Sequence, residues 1–404
     1  MDRRSFLRSA LVGCSAAASP LLTPVTLASA PWEGRLIVII LRGAMDGLDA
    51  VRPIGDPDYA ALRTKLLKDG YDTHAIGDFF ALNPKLATLA PLWRAGELAV
   101  IPATSTPYRD KRSHFDGQAL LEAGSGGDPD AIGRDGWLNR LLQVSPGVET
   151  RTAFAVGRGR LRILAGTGRH ATWVPSTKLK VSAQGARLLE LIYHDDPLFR
   201  DAATLAMDII EGIEDAPDLA GDAARDLASM DAMAERSVIG PAAEEITQFI
   251  VEQMRLDTRI ASFSLNGWDT HARQDKLLRK RFRQLAETIL LLRTGLGPVW
   301  EKTAVLVMTE FGRTARINGT GGTDHGTGGT RFLAGGAIRG GRAYGDWPGL
   351  GESDLYNGRD LMPTRDIRAY AAWVMRALFG TSVSDMERVI FPGVDMGSDP
   401  GLIL

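Results

Sequence analysis

The sequence predicts an α/β protein built on a mixed, mostly parallel sheet with helices on both faces. Strand and helix signals alternate along the chain, as they do in layered folds of this class. Residues 36–41 (LIVIIL) are apolar without interruption, which is typical of a strand covered on both sides. The 404 residues, 44% of them hydrophobic, are enough to bury a full core.

Four more segments complete the predicted layers. Residues 97–103 read as the next strand, followed by a polar loop over 104–112. A short helix is expected over 113–122, and the final helix is expected to begin at Thr364 and to stop at Gly380. The clearest helix covers residues 275–293, where apolar side chains recur at spacings of three and four: Leu278, Phe282, Leu285, Ile289 and Leu292.

The N-terminus carries the pattern of a twin-arginine export signal. Arg3 and Arg4 precede Phe6-Leu7, a weakly apolar stretch follows, and small residues at 28–30 offer a cleavage site. We therefore expect residues 1–30 to be removed and the mature protein to be periplasmic or secreted. The alternative is a lipoprotein anchored at Cys14, but the apolar run before that cysteine is very short.

The mature chain, residues 31–404, is expected to form one domain with a helical insertion at about 198–240, where the composition becomes rich in Ala and Asp. No later segment is long and apolar enough to span a membrane. The formal net charge is −2, and no basic stripe with interleaved aromatic residues is present. These features argue against a nucleic-acid partner.

Side chains that can bind a metal follow three strand-like segments. Ligands of open α/β sheets bind beyond the carboxyl ends of the strands, so side chains placed there are expected to share one site. Carboxylate and imidazole groups suit divalent cations, and we expect one or two ions of Zn, Mn, Mg or Ca. The expected ligands are Asp46 (LIVIILRGAMDG), Asp269 and His271 (RIASFSLNGWDTH), Glu310 (TAVLVMTEFGR), and Asp324 and His325 in the following glycine-rich stretch.

Two of these carboxylates have a plain structural alternative. Asp46 precedes a glycine and would also serve as a turn residue, with Asp49 as the nearby alternative ligand. Glu310 would also serve as a salt-bridge partner of Arg313.

The histidine pairs also have alternatives. Asp269 and His271 point to the same side of an extended chain, but Asp269 would equally cap the next helix while His271 stays in solvent. Adjacent side chains of an extended loop diverge, so His325 is the favoured ligand of its pair, with Asp324 as a ligand or as the group that orients it.

Ser113, at the start of a predicted helix, is the leading candidate for a nucleophile. Backbone N–H groups and the helix dipole at such a position favour an anionic substrate. The alternative is a plain helix cap. His114 is expected to act as a ligand, as a general acid or in packing. The basic residues near these motifs offer positive charge for a phosphate or sulfate group: Arg42, Arg109, Lys111, Arg112 and Arg313. Of these, Arg313 and Arg112 are expected to hold the oxygens of that group.

Five motifs in order resemble domain-of-unknown-function family 1501 (DUF1501), twin-arginine-exported proteins of the alkaline-phosphatase-like (sulfatase-like) superfamily. They are Arg42-Gly43-Ala44-Met45-Asp46-Gly47-Leu48, Ser113-His114-Phe115-Asp116, Gly267-Trp268-Asp269-Thr270-His271, Thr309-Glu310-Phe311-Gly312-Arg313-Thr314 and Gly322-Thr323-Asp324-His325-Gly326. The resemblance implies that fold, one or two divalent metals and a serine or threonine nucleophile. By motif, those places fall to Asp46, Ser113, Asp269, His271, Glu310 and His325.

The sequence departs from the superfamily pattern at two positions, and two functions follow as expectations. The Asp-x-x-x-His spacing of many members is Asp269-x-His271 here, and a later Asp-His pair reads Glu310-Phe311, which weakens one metal position. The first expected function is a metal-dependent hydrolase or transferase of phosphate or sulfate esters, with an anionic small-molecule or polymer ester as substrate. The second is a catalytically reduced, metal-stabilised binding or assembly protein with an exported protein partner.

Overall fold

The computed structural model describes residues 32–67, 74–109, 111–157, 161–175 and 240–404. The predicted export signal, Cys14 and all but the last residue of the predicted insertion lie outside these ranges, so each of them stays a prediction. None of the helices in these ranges has the length and apolar character that a membrane span requires.

The described strands form a large sheet and a small one. In chain order they are β1 Arg35–Arg42, β2 Val51–Arg52, β3 Ala75–Ile76, β4 Phe80–Leu82, β5 Leu98–Ser105, β6 Ala153–Val156, β7 Ala171–Trp173, β8 Ile260–Asn266, β9 Thr303–Met308, β10 Gly329–Ala334, β11 Arg342–Ala343 and β12 Arg365–Asp366. The large sheet has the order β11-β5-β10-β9-β1-β8-β6-β7, and β12 also pairs with β5. Strands β2, β4 and β3 form the small sheet.

Every strand of the large sheet runs in the same direction except β10. Strand β10 is antiparallel to both of its neighbours, β5 and β9, while β1 is parallel to β8 and β9. The prediction of a mixed, mostly parallel sheet is therefore confirmed. The carboxyl ends of β1, β5, β8 and β9 consequently share one edge with the amino end of β10.

Helices pack on both faces of the large sheet. The described α-helices are α1 Gly47–Ala50, α2 Tyr59–Arg63, α3 Ala90–Arg94, α4 His114–Ala123, α5 Trp137–Val144, α6 Pro241–Met254, α7 Gln274–Leu296, α8 Ile367–Phe379 and α9 Val383–Asp385. Short 3-10 turns span Pro84–Leu89, Pro129–Ala131, Thr150–Thr152, Arg162–Leu164 and Gly297–Lys302, and a π turn spans Met386–Ile390.

Strand β1 shows why its sequence is apolar at every position. Leu36, Val38 and Ile40 pack with residues of α5 and α8 on one face of the sheet. The alternate residues pack with α6 and α7 on the other face: Ile37, Ile39 and Leu41. Each of these side chains is almost fully buried, which stabilises the fold by about 1.5–3 kcal/mol per side chain.

Two element boundaries differ from the sequence prediction for a visible reason. The final helix begins at Ile367 rather than Thr364, because Arg365 and Asp366 pair with β5 as β12. The Asp366 side chain then caps the helix by accepting the Arg368 N–H. The long helix α7 extends the predicted range at both ends, and its predicted apolar positions are buried as expected.

Candidate metal centre

The predicted site residues come from loops that meet at the carboxyl edge of the large sheet. His114 is the first residue of α4, directly after the β5–α4 connection, and the β8–α7 connection supplies Asp269 and His271. The β9–β10 connection supplies Glu310 and His325. The strand directions bring these connections together, although they are far apart in sequence.

Three imidazole rings at this edge are held in the same way. His114, His271 and His325 each have Nδ1 within hydrogen-bond distance of an oxygen that can only accept. In the neutral tautomer with its hydrogen on Nδ1, each ring donates to that oxygen and leaves the Nε2 lone pair for a cation. The accepting oxygens are Glu310 Oε1 at 2.8 Å, Asp324 Oδ1 at 3.1 Å and the Arg112 carbonyl at 2.7 Å, respectively.

The three Nε2 atoms converge on the carboxylate of Asp269. Its Oδ1 lies 3.0 Å from His271 Nε2 and 3.5 Å from His325 Nε2, and its Oδ2 lies 3.3 Å from His114 Nε2. The two nitrogens of His271 and His325 are 2.9 Å apart. The ligand atoms of His114, Asp269 and His325 all lie within 4.8 Å of one another, a spacing that fits one divalent cation. His271 adjoins this group through Asp269 and His325.

The environment of His114 provides an independent test of that fit. Its Nε2 is buried and has no hydrogen-bond partner, although it lies close to Asp269. A buried polar atom without a partner destabilises a fold, and a cation at this position would satisfy it. The ring stacks on Phe311 with centroids 5.0 Å apart and an interplanar angle of 24°. Phe311 thus covers one face of the imidazole.

Protonation affects cation binding in opposite directions at two residues: Asp269 is held in its charged form, whereas His114 holds a proton more strongly than an ordinary histidine. Burial alone would raise the pKa of Asp269, but the hydrogen bond and charge of Arg313 hold that pKa below its ordinary value. Burial would also lower the pKa of His114, but the bond and charge of Glu310 raise it above the ordinary value. A metal must displace a proton from such a ring, so metal affinity should fall as the pH decreases.

Glu310 stands behind the cluster rather than in it. Its side chain is fully buried, and Oε1 accepts hydrogen bonds from His114 Nδ1, the Gly43 N–H at 2.9 Å and Gln118 Nε2 at 2.9 Å. Oε2 accepts from the Thr309 hydroxyl at 2.9 Å. The expected role as a direct ligand is not supported by these contacts, because both oxygens are occupied by donors. Glu310 orients His114 instead.

Asp46 is also fully engaged by protein donors. Its carboxylate accepts from Arg63 Nη1 at 2.5 Å and Nη2 at 3.2 Å, and from Gln274 Nε2 at 2.6 Å. Oδ1 also caps α1 by accepting the N–H groups of Leu48 and Asp49. The expected role as a ligand is therefore not supported, and the turn alternative describes the contacts. Burial alone would raise the pKa of Asp46, but the charge and hydrogen bonds of Arg63, with the Gln274 hydrogen bond and the charge of Arg313, together lower that pKa.

Asp49, the alternative to Asp46, is occupied as well. Its Oδ1 accepts from Arg52 Nη2 at 3.1 Å and from Asn83 Nδ2 at 2.9 Å. These contacts hold α1 against the small sheet.

The arginines expected to hold a substrate anion are used by the protein itself. Arg313 is buried, and its Nη2 donates to Asp269 Oδ1 at 2.5 Å. Arg112 pairs with the buried Asp360 at 3.0 Å. The other N–H groups of Arg313 donate to the carbonyls of Gly43, Ala44, Trp268 and Thr323. Arg313 therefore positions Asp269 and joins three loops, and the expected contact with substrate is not supported.

Ser113 is the N-cap of α4, as its structural alternative predicts. Its Oγ accepts the Asp116 N–H at 3.3 Å, and its own N–H donates to the Tyr108 hydroxyl at 3.0 Å. A capping oxygen keeps its hydroxyl hydrogen, and Ser113 directly precedes His114. The role of nucleophile therefore stays a prediction.

Sequence reasoning missed two side chains that support the centre. Gln118 donates to Glu310 and accepts from Arg42 Nη1 at 2.8 Å. Gln118 lies four residues after His114 on α4, and side chains at this spacing lie on the same face of a helix, so the sequence could have indicated it. Arg63, on α2, had no signal of this kind.

The centre is open to solvent on the side of Asp324. The exposed fractions of the Asp269, His271 and Asp324 side chains are 42%, 46% and 49%. A cavity of about 640 Å³ adjoins Asp324 and is lined by groups of both charges, including Asp58, Glu352, Arg316 and Arg359.

The sequence profile of the family described as protein of unknown function (DUF1501) matches residues 110–372, well over half of the chain. No curated protein matches the sequence. The matched range contains every residue of the converging cluster.

Partial structural similarity links the chain to three solved structures. They are the lipoteichoic acid synthase LtaP from Listeria monocytogenes (10% identity, 91% of this chain and 77% of that chain, TM-score 0.39), a protein in the alkaline phosphatase superfamily from Vibrio parahaemolyticus (12%, 83% and 69%, TM-score 0.34), and the C-terminal periplasmic domain of EcEptC from Escherichia coli in complex with Zn (10%, 93% and 95%, TM-score 0.36). Identities and TM-scores this low carry no information about the reaction.

Proposed function

Since the chain belongs to the family described as protein of unknown function (DUF1501), we propose a function from its own residues: it is a periplasmic metal-dependent hydrolase or transferase of phosphate or sulfate esters. The observation that carries this proposal is the convergence of three imidazole Nε2 atoms on the Asp269 carboxylate at an open edge of the sheet. The periplasmic location is supported by the twin-arginine pattern of the N-terminus.

One divalent cation would be held by His114, Asp269, His271 and His325. Three imidazoles and one carboxylate suit Zn²⁺ or Mn²⁺ better than Mg²⁺ or Ca²⁺, which prefer oxygen ligands. A cation bound there acts as a Lewis acid on the anionic ester group.

The surrounding residues fix these four side chains. Glu310 holds the Nδ1 hydrogen of His114, and Asp324 holds that of His271. Arg313 holds Asp269 from the buried side. Such partners set the tautomer and the orientation of metal-binding groups, so the centre is organised by its own fold.

Ser113 is the residue that we propose as the nucleophile. It stands at the N-terminus of α4, where unpaired backbone N–H groups and the helix dipole favour an anionic group. It is next to His114 in the chain, and a serine hydroxyl needs activation by a base or a cation to react at neutral pH.

The decisive experiment combines metal analysis with a substrate screen. We expect the purified mature protein to contain about one equivalent of Zn or Mn. We also expect it to cleave at least one phosphate or sulfate mono- or diester, with activity lost on chelation and restored by the metal. Protein without bound metal would exclude the proposal. Bound metal without turnover of any ester would favour the metal-stabilised binding or assembly protein instead.

Removal of a ligand should abolish metal binding. We expect Asp269→Ala and His325→Ala to bind metal more than about 100-fold more weakly than the wild type, because each removes a coordinating atom. His74→Ala, which removes a histidine near the small sheet, is the matched control and should keep its metal. Metal titration followed by calorimetry measures both. Retention of wild-type affinity in both ligand variants would exclude this ligand set.

Glu310→Gln should show whether Glu310 orients His114 or binds the metal itself. Glutamine keeps the size of the side chain but loses the charge that holds the His114 Nδ1 hydrogen. Loss of such a supporting group typically lowers metal affinity about 10–100-fold. We therefore expect an intermediate affinity in the same titration. A variant as defective as Asp269→Ala would instead make Glu310 a ligand.

A further inference from the structure

A second cavity, of about 620 Å³, lies against helix α4. One side is formed by residues spaced along a single face of the helix: Phe115, Gln118, Ala119 and Glu122. The other side is formed by Arg42, Arg134, Arg162 and Ala165. We refer to these eight residues as the arginine cavity.

The arginine cavity carries excess positive charge. Arg42 is neutralised by Glu122, whose Oε1 lies 2.7 Å from Arg42 Nη2. Arg134 and Arg162 have no carboxylate within 4 Å in the described part of the chain. The acidic residue next to Arg134, Asp135, accepts from Gln143 at 2.8 Å. Two unpaired guanidinium groups on a concave surface form a site for an anion, since they offer charge and paired N–H donors.

An aromatic ring stands beside this charge. The side chain of Phe115 is 83% exposed, the highest exposure of any large hydrophobic residue in the described ranges. An exposed aromatic residue next to a concave charged surface is typical of a binding site.

The arginine cavity and the metal centre share the start of α4. His114 faces Glu310 and Asp269, while the next residue, Phe115, lines the cavity. Gln118 belongs to both, because its Nε2 donates to Glu310 and its Oε1 accepts from Arg42. A ligand extending past the start of the helix would therefore contact both regions.

We propose that the arginine cavity binds a second anionic group of the substrate, with Phe115 packing against the part of the molecule in between. The substrate is then an ester with a distal phosphate, sulfate or carboxylate. That the bound molecule is the substrate rests on the proposed function. The binding of an anion by Arg134 and Arg162 does not depend on that function.

Anion binding can be tested without turnover or bound metal. Inorganic tripolyphosphate is titrated by calorimetry, at low ionic strength, into the full mature chain and into its His325→Ala variant. We expect binding to both proteins. In either background, Arg134→Gln with Arg162→Gln should weaken that binding at least about tenfold, since two charged donors are lost. The matched control, Lys280→Gln with Arg283→Gln, removes two exposed charges from α7 and should leave the affinity unchanged.

The outcomes separate this inference from the proposed function. No binding of tripolyphosphate, or equal loss in the control and cavity variants, would overturn the inference even if the protein cleaves esters. For an active enzyme, the cavity variant should lower, at least about tenfold, the kcat/KM for an ester with a distal anion relative to p-nitrophenyl phosphate. An unchanged ratio would show that the bound anion is not part of the substrate.

Discussion

Arg63→Met should lower the free energy of unfolding by about 3–5 kcal/mol, because it leaves the buried carboxylate of Asp46 without its charged partner. Both side chains are about 1% exposed, and Arg63 Nη1 lies 2.5 Å from Asp46 Oδ2. Arg63 also donates to the carbonyls of Ala315 at 2.7 Å and Thr314 at 2.9 Å. The variant therefore loses both the ion pair and a tie between α2 and the β9–β10 connection.

The pH dependence of that loss has a defined sign. Arg63 lowers the folded-state pKa of Asp46, so the pair stabilises the wild type above the unfolded pKa of about 3.9. That contribution disappears as the pH falls through the folded pKa. Without Arg63, burial raises the folded pKa, and the folded variant takes up a proton more readily. The difference in stability between the two proteins should therefore shrink towards acidic pH in urea denaturation.

A double variant separates the charge from the packing. Asp46→Asn with Arg63→Met removes both charges and should recover much of the stability lost in the single variant, since no unpaired buried charge remains. It should also keep its metal, because Asp46 is not among the proposed ligands. A loss below about 1 kcal/mol in Arg63→Met would contradict the role of this pair. Loss of metal in the double variant would restore Asp46 as a ligand.

Much of the fold was predictable from the sequence because apolar runs and apolar stripes depend only on residues that are close together in the chain. An unbroken apolar run can be buried on both faces, as β1 is, and the stripe from Leu278 to Leu292 can face only one layer. The placement of Asp269 and Glu310 at one edge followed from strand direction, since each comes after the carboxyl end of a parallel strand, β8 and β9. None of these inferences needed a long-range contact.

The roles of the carboxylates at this edge could not be predicted in the same way. Asp46 and Asp269 both follow a buried strand. The guanidinium of Arg63, on α2, binds the carboxylate of Asp46, whereas Arg313 binds that of Asp269. Glu310 follows a strand as well, yet its side chain lies behind His114. Which carboxylate is enclosed by protein donors, as Asp46 is, and which stays partly exposed, as Asp269 does, depends on tertiary contacts that leave no pattern in the sequence.

Ser113→Asn should reduce turnover at least about a thousandfold while the fold and the bound metal are retained. Asparagine caps helices about as well as serine, so the N-terminus of α4 stays intact. It lacks a hydroxyl, and loss of the attacking group typically costs several orders of magnitude in kcat. The measurement is kcat on whichever ester the screen identifies, with metal content determined on the same preparation.

Two further substitutions at this position distinguish the hydroxyl from the cap. Ser113→Thr keeps both functions and should retain measurable turnover. Ser113→Ala loses both, and should also lower the free energy of unfolding by about 0.5–2 kcal/mol through the lost cap. If Ser113→Asn turns over the ester at a near-normal rate, the hydroxyl is not the nucleophile. The serine then serves only to start α4, and a water molecule would be the attacking group at the centre formed by His114, Asp269, His271 and His325.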